Sequence, residues 1–458
     1  MSPNATGTST EPPASPLETQ GSTSPRRAVP VDQASRIQLI DILRGVALLG
    51  ILLMNIPGFA LPAYFTETFK SNPRDPDFWL HAFITVFFEG KMRALFGMVF
   101  GAGIVLFVQG KERAGAPTAA LFYRRMAWLV LFGLLHAHLI LWVGDILYLY
   151  GLCGMLVYPL RKVAIKYLIL AVPVVALLDF VVNTAFYQQI RNLRLEYVAA
   201  TQARDKGADL TPSQTQALEG WRELEKTFIP NRDDAVRNAE TLRSGYSEAA
   251  AYLRPIAWGL ETRFLPTMVP DSLALMLFGV ALLRVGFLTG EWQPRNYRRT
   301  AWIGYGLGLP LVCVSVYFNT VHHPNLEASL ARMEAVPIEW TGLIYPFQRI
   351  LIVMAHVSSL VLMFKSGVAR RFLARLGAVG QMAFTNYIMQ SVLCTLVFFG
   401  YGLGYHGRVT YAAMYLIAIS IWVFQLVASP FCLARFRFGP LEWLWRTLTY
   451  LKAQPFKR

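Results

Sequence analysis

The sequence predicts an all-α, polytopic integral membrane protein with about ten transmembrane helices, and three observations carry that prediction. Hydrophobic residues make up 54% of the 458 and charged residues only 16%. With a mean hydropathy of +0.39, the chain is too apolar for one soluble core of this length. Apolar stretches of about 20 residues recur, each able to cross the ~30 Å hydrocarbon layer as a helix, and their continuity excludes the alternation of a transmembrane barrel. The net charge of +15 punctuates alternate loops and does not gather over one face. That pattern points to membrane lipids as partners and away from nucleic acid.

In chain order the spans fall near 39–56, 79–108, 121–142, 145–160, 164–187, 264–288, 300–319, 343–364, 376–399 and 409–433. Residues 1–35 are rich in Ser, Thr, Pro and Ala without an apolar core, which reads as a disordered cytoplasmic tail and not a cleaved signal peptide. An N-terminal transmembrane bundle follows over 36–187, then an extracytoplasmic helical loop over 188–262, a C-terminal bundle over 263–434 and a basic cytoplasmic tail over 435–458. Lys and Arg gather before the first span, at 111–125, at 161–162, at 295–299, at 365–375 and after 434, in every second loop. By the positive-inside rule both termini are cytoplasmic, in a bacterial inner membrane.

The first span carries Asp41 and Arg44. An Arg at the bilayer centre costs roughly 2.5–3.5 kcal/mol on insertion scales, so Asp41, three residues back on the same face, is its expected partner. Asn55 lies about three turns further along that face. The second span is too long for one untilted helix and is interrupted by Glu89-Gly90-Lys91-Met92-Arg93. The segment is broken or re-entrant there, and one net crossing keeps the basic cluster at 111–125 cytoplasmic. Its charges either neutralise one another or bind a phosphate or carboxylate. Gly97, Gly101 and Gly103 have the spacing of close helix packing.

His136 ends the third span, and the turn after it brings up Asp145. Two readings stand: a general base oriented by the carboxylate, or a packing histidine bonded to a backbone carbonyl. The polar loop holds ten Lys or Arg against eleven Asp or Glu. Trp221, Leu224 and Phe228 share a helical face within it, which predicts a small helical cap. Arg349 and His356 share a face of the eighth span and read as an interhelical hydrogen-bond pair. In the ninth span Thr385, Asn386, Tyr387 and Gln390 form a polar patch, either helix glue or substrate contact. Gly400, Gly402, Gly404 and Gly407 predict a tight turn between the last two spans. Cys153, Cys313, Cys394 and Cys432 lie singly in apolar runs as packing residues, and no spacing predicts a metal site.

Arg36 with the run Asp41–Ile56 resembles the opening of the YeiB-type bacterial membrane proteins. Lys91–Gly103, Leu135-His136 with Gly144–Leu147, Tyr297–Arg299, Met382–Tyr387 with Gln390, and Gly439–Arg446 extend the likeness over nearly the whole chain after the tail. The same opening is similar to that of transmembrane acyltransferases, a group that includes the lysosomal heparan glucosaminide N-acetyltransferase type and bacterial glycan O-acyltransferases. That resemblance implies transfer of an acyl group from a cytoplasmic thioester, acetyl-CoA or another acyl-CoA, to an extracytoplasmic glycan or lipid-linked acceptor. The alternative is a multi-pass transporter or flippase without chemistry. In the O-acyltransferases a catalytic His follows the Arg after ten residues; here Asn55 holds that place. The lysosomal type also has Asn and takes its His from the next luminal segment, but Pro57–Phe78 contains no His. Candidate bases are then Glu67, His81 and His136. The resemblance implies His136 as base with Asp145, Asn55 as an oxyanion donor, Arg44, Lys91 and Arg93 on the coenzyme A phosphates, and His81, Glu67, Asn386 and Gln390 toward the acceptor. An oligomer is compatible with the pattern.

Overall fold

The computed structural model describes residues 33–62, 70, 72–113, 118–228 and 232–458. The helices are α1 (Gln33–Ala60), α2 (Pro76–Phe87), α3 (Lys91–Arg113), α4 (Thr118–Leu139), α5 (Leu147–Leu160) and α6 (Ile165–Asp205). A cap follows, made of α7 (Pro212–Phe228), α8 (Arg232–Arg243) and α9 (Tyr246–Glu261). The second half comprises α10 (Leu265–Arg284), α11 (Pro294–His322), α12 (Leu326–Ala335), α13 (Thr341–Ser366), α14 (Arg370–Gln381), α15 (Ala383–Phe398), α16 (Tyr411–Arg435) and α17 (Pro440–Tyr450). Among the described residues there is no sheet, only an isolated bridge between Phe436 and Lys457. Among the described residues eight helical segments are long and apolar enough to cross a membrane, and α5 and α15 are shorter apolar helices. The protein is a polytopic membrane protein.

Burial orders the bundle. A helix apolar on all sides must be surrounded, and 78% of the membrane-length part of α1 is buried, against 11% for α6. Helices α14, α3, α15 and α16 pack around α1. Helices α3 and α10 cross at close range: a Cβ on Gly101 would meet the backbone of Met276, and one on Gly279 the backbone of Met98. Of the glycines read as a packing motif, Gly101 sets that crossing, with Gly279 opposite it. Cys153 and Cys394 are buried, whereas Cys313 is exposed on α11.

The second crossing is broken where its charges interrupt it. Phe88 and Glu89 turn back onto the carbonyl of Ile84, Gly90 takes a left-handed φ of 69°, and α3 restarts at Lys91. In lipid the freed carbonyls need donors. Lys91, almost fully buried, donates to Thr85 O at 2.7 Å, and His356 Nε2 meets Phe87 O at 2.9 Å. Any Cβ at Gly90 would overlap the Tyr345 hydroxyl. Gly90→Ala should cost about 1–3 kcal/mol, from the left-handed backbone and the overlap together. Thermal unfolding in detergent checks this, since the loss should shrink in a Tyr345→Phe background and equal losses would assign the cost to the backbone alone.

The expected ninth span is two helices. Met382 leaves helical geometry between α14 and α15, which exposes the first amides of α15. Glu442 of α17 accepts them, from Phe384 N at 2.7 Å and Thr385 N at 3.0 Å, and takes the Thr385 hydroxyl at 2.6 Å. Its burial raises the carboxyl above the ordinary glutamate range.

At ~1.5 Å per residue the 41 residues of α6 run about 60 Å, twice the hydrocarbon thickness, so the helix projects and carries the cap. Trp221 of α7 is buried there with Tyr197 at a ring separation of 5.8 Å and the Arg194 guanidinium at 4.9 Å. The cap also docks on the end of α4. His138 Nε2 meets Glu261 at 2.8 Å, Arg254 donates to His138 O at 3.0 Å and Tyr246 to Leu139 O at 2.9 Å.

The glycine-rich turn 399–410 locks the same side. His406 Nδ1 bonds Phe59 O at 2.7 Å, Gly407 N donates to Ala60 O at 2.7 Å and Arg243 donates to His406 O at 2.8 Å. Burial, with Arg243 adding to it, holds the imidazole below its ordinary range. The folded state therefore binds fewer protons than the unfolded one, so stability is full above pH ~6.5 and falls as pH drops below it. His406→Asn should flatten that slope, and thermal midpoints measured between pH 7.5 and 5 test it.

Candidate functional site

The turn from α4 to α5 folds Asp145 back onto the last turn of α4. His136 Nδ1 lies 2.7 Å from Asp145 Oδ1, and the other carboxylate oxygen accepts Tyr148 N at 2.8 Å, which fixes it to the first turn of α5. Tyr387 of α15 stands edge-on to the imidazole at a ring separation of 5.0 Å, and its hydroxyl accepts Ile146 N at 3.3 Å. His136 has no exposed surface, and its Nε2 has no hydrogen-bond partner among the described residues. A carboxylate on Nδ1 selects the tautomer that leaves the Nε2 lone pair free, as a base requires. A buried nitrogen left unsatisfied calls for a functional explanation. Trp142 of the turn stacks on Phe59 at 3.9 Å, and half-buried Asn55 lies one turn before Phe59 on α1.

A second polar centre joins α3, α10 and α13. Asp271 accepts Arg93 Nη2 at 2.9 Å and Arg349 Nη1 at 3.1 Å, with a further bond from Arg349 Nη2 to its other oxygen. This triad borders a cleft of about 500 Å³ closed on its far side by α6. Arg349 thus pairs with Asp271. His356, on the same face of α13, meets the Tyr305 hydroxyl of α11 at 2.8 Å and Phe87 O of α2, so both residues make the interhelical hydrogen bonds expected of them.

Arg44 belongs to the opposite end. Its Nη1 bonds Asp41 at 2.7 Å and Gly380 O at 3.4 Å, so the expected pair forms. Arg125 of α4 is within electrostatic range of Arg44 and Arg446 and lies 3.5 Å over the Trp445 ring of α17. Eleven residues of α4, about 16 Å, separate Arg125 from His136.

The polar patch of α15 knits that helix to α16. Asn386 Nδ2 donates to Val379 O at 3.1 Å and Ser429 Oγ at 3.0 Å, while Gln390 donates to Gln425 at 2.9 Å and Gln425 to Asn386 O at 2.9 Å. Half-buried His81 meets the Tyr411 hydroxyl at 3.2 Å. Glu67 lies outside the described residues. Among the described residues no cluster of His, Cys, Asp or Glu is arranged to hold a metal ion.

The chain is 31% identical over 425 residues to the uncharacterized protein YeiB of Escherichia coli (strain K12), covering 91% of this chain and 97% of that one. It belongs to the YeiB family. It is also 28% identical over 430 residues to the uncharacterized protein YxaH of Bacillus subtilis (strain 168), covering 92% of this chain and 96% of that protein. The family model described as protein of unknown function (DUF418) matches residues 282–452. That stretch holds Arg349, Asn386 and Glu442, whereas the His136–Asp145 pair and Asp271 lie before it. No solved structure matches the chain.

Proposed function

We propose that this YeiB-family protein is a transmembrane acyltransferase moving an acyl group from a cytoplasmic acyl-CoA to a hydroxyl- or amine-bearing acceptor, a glycan or lipid-linked sugar, on the outer side of a bacterial inner membrane. The observation that carries the reading is the His136–Asp145 pair, buried, with Nε2 unengaged. His136 removes the acceptor proton as the acceptor oxygen or nitrogen attacks the thioester carbonyl. The carbon–sulfur bond then breaks, and the imidazolium returns its proton to the departing thiolate. Asp145 stabilises the transient imidazolium, and Asn55 is assigned as an oxyanion donor. The positive-inside pattern of the basic loops supports a cytoplasmic α17 side. There Arg44, Arg125 and Arg446 suit the phosphates of a nucleotide-bearing donor. Lys91 and Arg93, assigned to the same donor, reach it only if its acyl arm extends to the break between α2 and α3. Because His136 is fully enclosed, turn 140–146 must shift to admit the acceptor.

The transport reading draws support from the Asp271 triad, which sets charges beside a cleft within the spans. Purified protein incubated with labelled acetyl-CoA separates the two. Release of free thiol with a labelled product supports transfer, and movement of a solute without thiol release supports transport.

A further inference from the structure

Four helices each contribute one charge to the cleft of about 500 Å³: Arg93 of α3, Asp179 of α6, Asp271 of α10 and Arg349 of α13. Asp271 lies six residues from the start of α10 and Arg349 eight from the start of α13, about 9–12 Å below the cap-side ends. The ionic floor therefore sits in the cap-side half of the bilayer. The wall opposite it is α6, which between 170 and 186 exposes Leu170, Leu177, Val181 and Phe186, as a helix against lipid tails should.

The charges are unequally used. Arg349 is 3% exposed and spends both terminal nitrogens on Asp271. Arg93 is 37% exposed and spends only one. The rest of its guanidinium, a planar donor fork matched to phosphate, borders the cleft. Asp179 borders the same cleft, and among the described residues its carboxylate makes no hydrogen bond or ion pair. Glu339 at the rim is already held by Arg332 at 2.9 Å. One half-used guanidinium and one unengaged carboxylate thus share a space of ligand size beside the lipid phase.

We propose that this cleft binds a phosphate-headed membrane lipid of the cap-side leaflet whose headgroup also carries an amine or hydroxyl. Arg93 takes the phosphate, Asp179 takes the headgroup donor, and the chains leave between α6 and α13. A free soluble phosphate would not need the apolar exit that α6 and α13 provide. The site does not depend on acyl transfer, and under that reading it takes Arg93 away from the donor contacts assigned above.

The test uses the full chain, purified in detergent and reconstituted in nanodiscs of phosphatidylethanolamine, phosphatidylglycerol or phosphatidic acid, with bound lipid counted by native mass spectrometry. Phosphatidylethanolamine and phosphatidylglycerol should be retained at least tenfold better by wild type than by Arg93→Gln. Asp179→Asn should lose that preference while binding phosphatidic acid as wild type does. Both variants leave the Asp271–Arg349 pair in place, and their thermal midpoints in lipid-free detergent report whether they fold. Equal lipid retention by wild type and a folded Arg93→Gln overturns the proposal. So does protection of wild type by millimolar inorganic phosphate equal to that by lipid.

Discussion

Replacing His136 with Gln is expected to abolish acyl transfer, by about 10²–10⁴-fold, while the protein still assembles in the membrane. Gln can donate to Asp145 as the imidazole does at 2.7 Å, so the buried carboxylate keeps a partner, but an amide accepts no proton at neutral pH. His136→Ala should lose the same activity and stability besides, because Asp145 is left uncompensated beside Tyr148 N alone. Asp145→Asn should reduce transfer with little change in donor affinity, since it removes the charge that stabilises the imidazolium and leaves Arg44 untouched. Thiol release from labelled acetyl-CoA and size-exclusion behaviour are measured together. Wild-type turnover by His136→Gln would remove the pair from any mechanism, whereas loss of turnover with loss of folding in Ala alone would mark it as structural.

What could be read from the sequence was local. Asp41 and Arg44 are three apart on one helix. His136 and Asp145 are joined by a turn too short to point anywhere else, and the charged interruption at Glu89–Arg93 straddles the break between α2 and α3, with Glu89 in it and Lys91–Arg93 opening α3. The helical cap followed from its balanced charge and the shared face of Trp221. Asp271 escaped, although a lone carboxylate in the apolar run 264–288 is itself a signal. Its partners lie 178 and 78 residues away, and helices apolar on every side carry no stripe to say which neighbours they meet. The division of the ninth span was hidden for the same reason. Glu442, which caps α15, comes from a helix after the last span, and nothing near Met382 announces that its amides will find an acceptor.

The largest stability effect should come from Asp271. Asp271→Leu strands the guanidinium of Arg349, 3% exposed, in a low-dielectric setting without its anion. Breaking such a pair costs about 3–5 kcal/mol. Arg93, a third exposed, can turn into the cleft and suffers less. The double variant Asp271→Leu/Arg349→Met removes both charges and restores apolar volume, so it should regain most of the loss, because a buried pair replaced by packed hydrophobic side chains is often neutral. The two single changes would then be strongly non-additive, as expected for side chains in direct contact. Thermal unfolding of the four proteins in one detergent measures the coupling. A double variant as stable as wild type but inactive in both thiol release and solute movement would show that the triad is kept for its charges, since its contribution to folding can be supplied by Leu and Met.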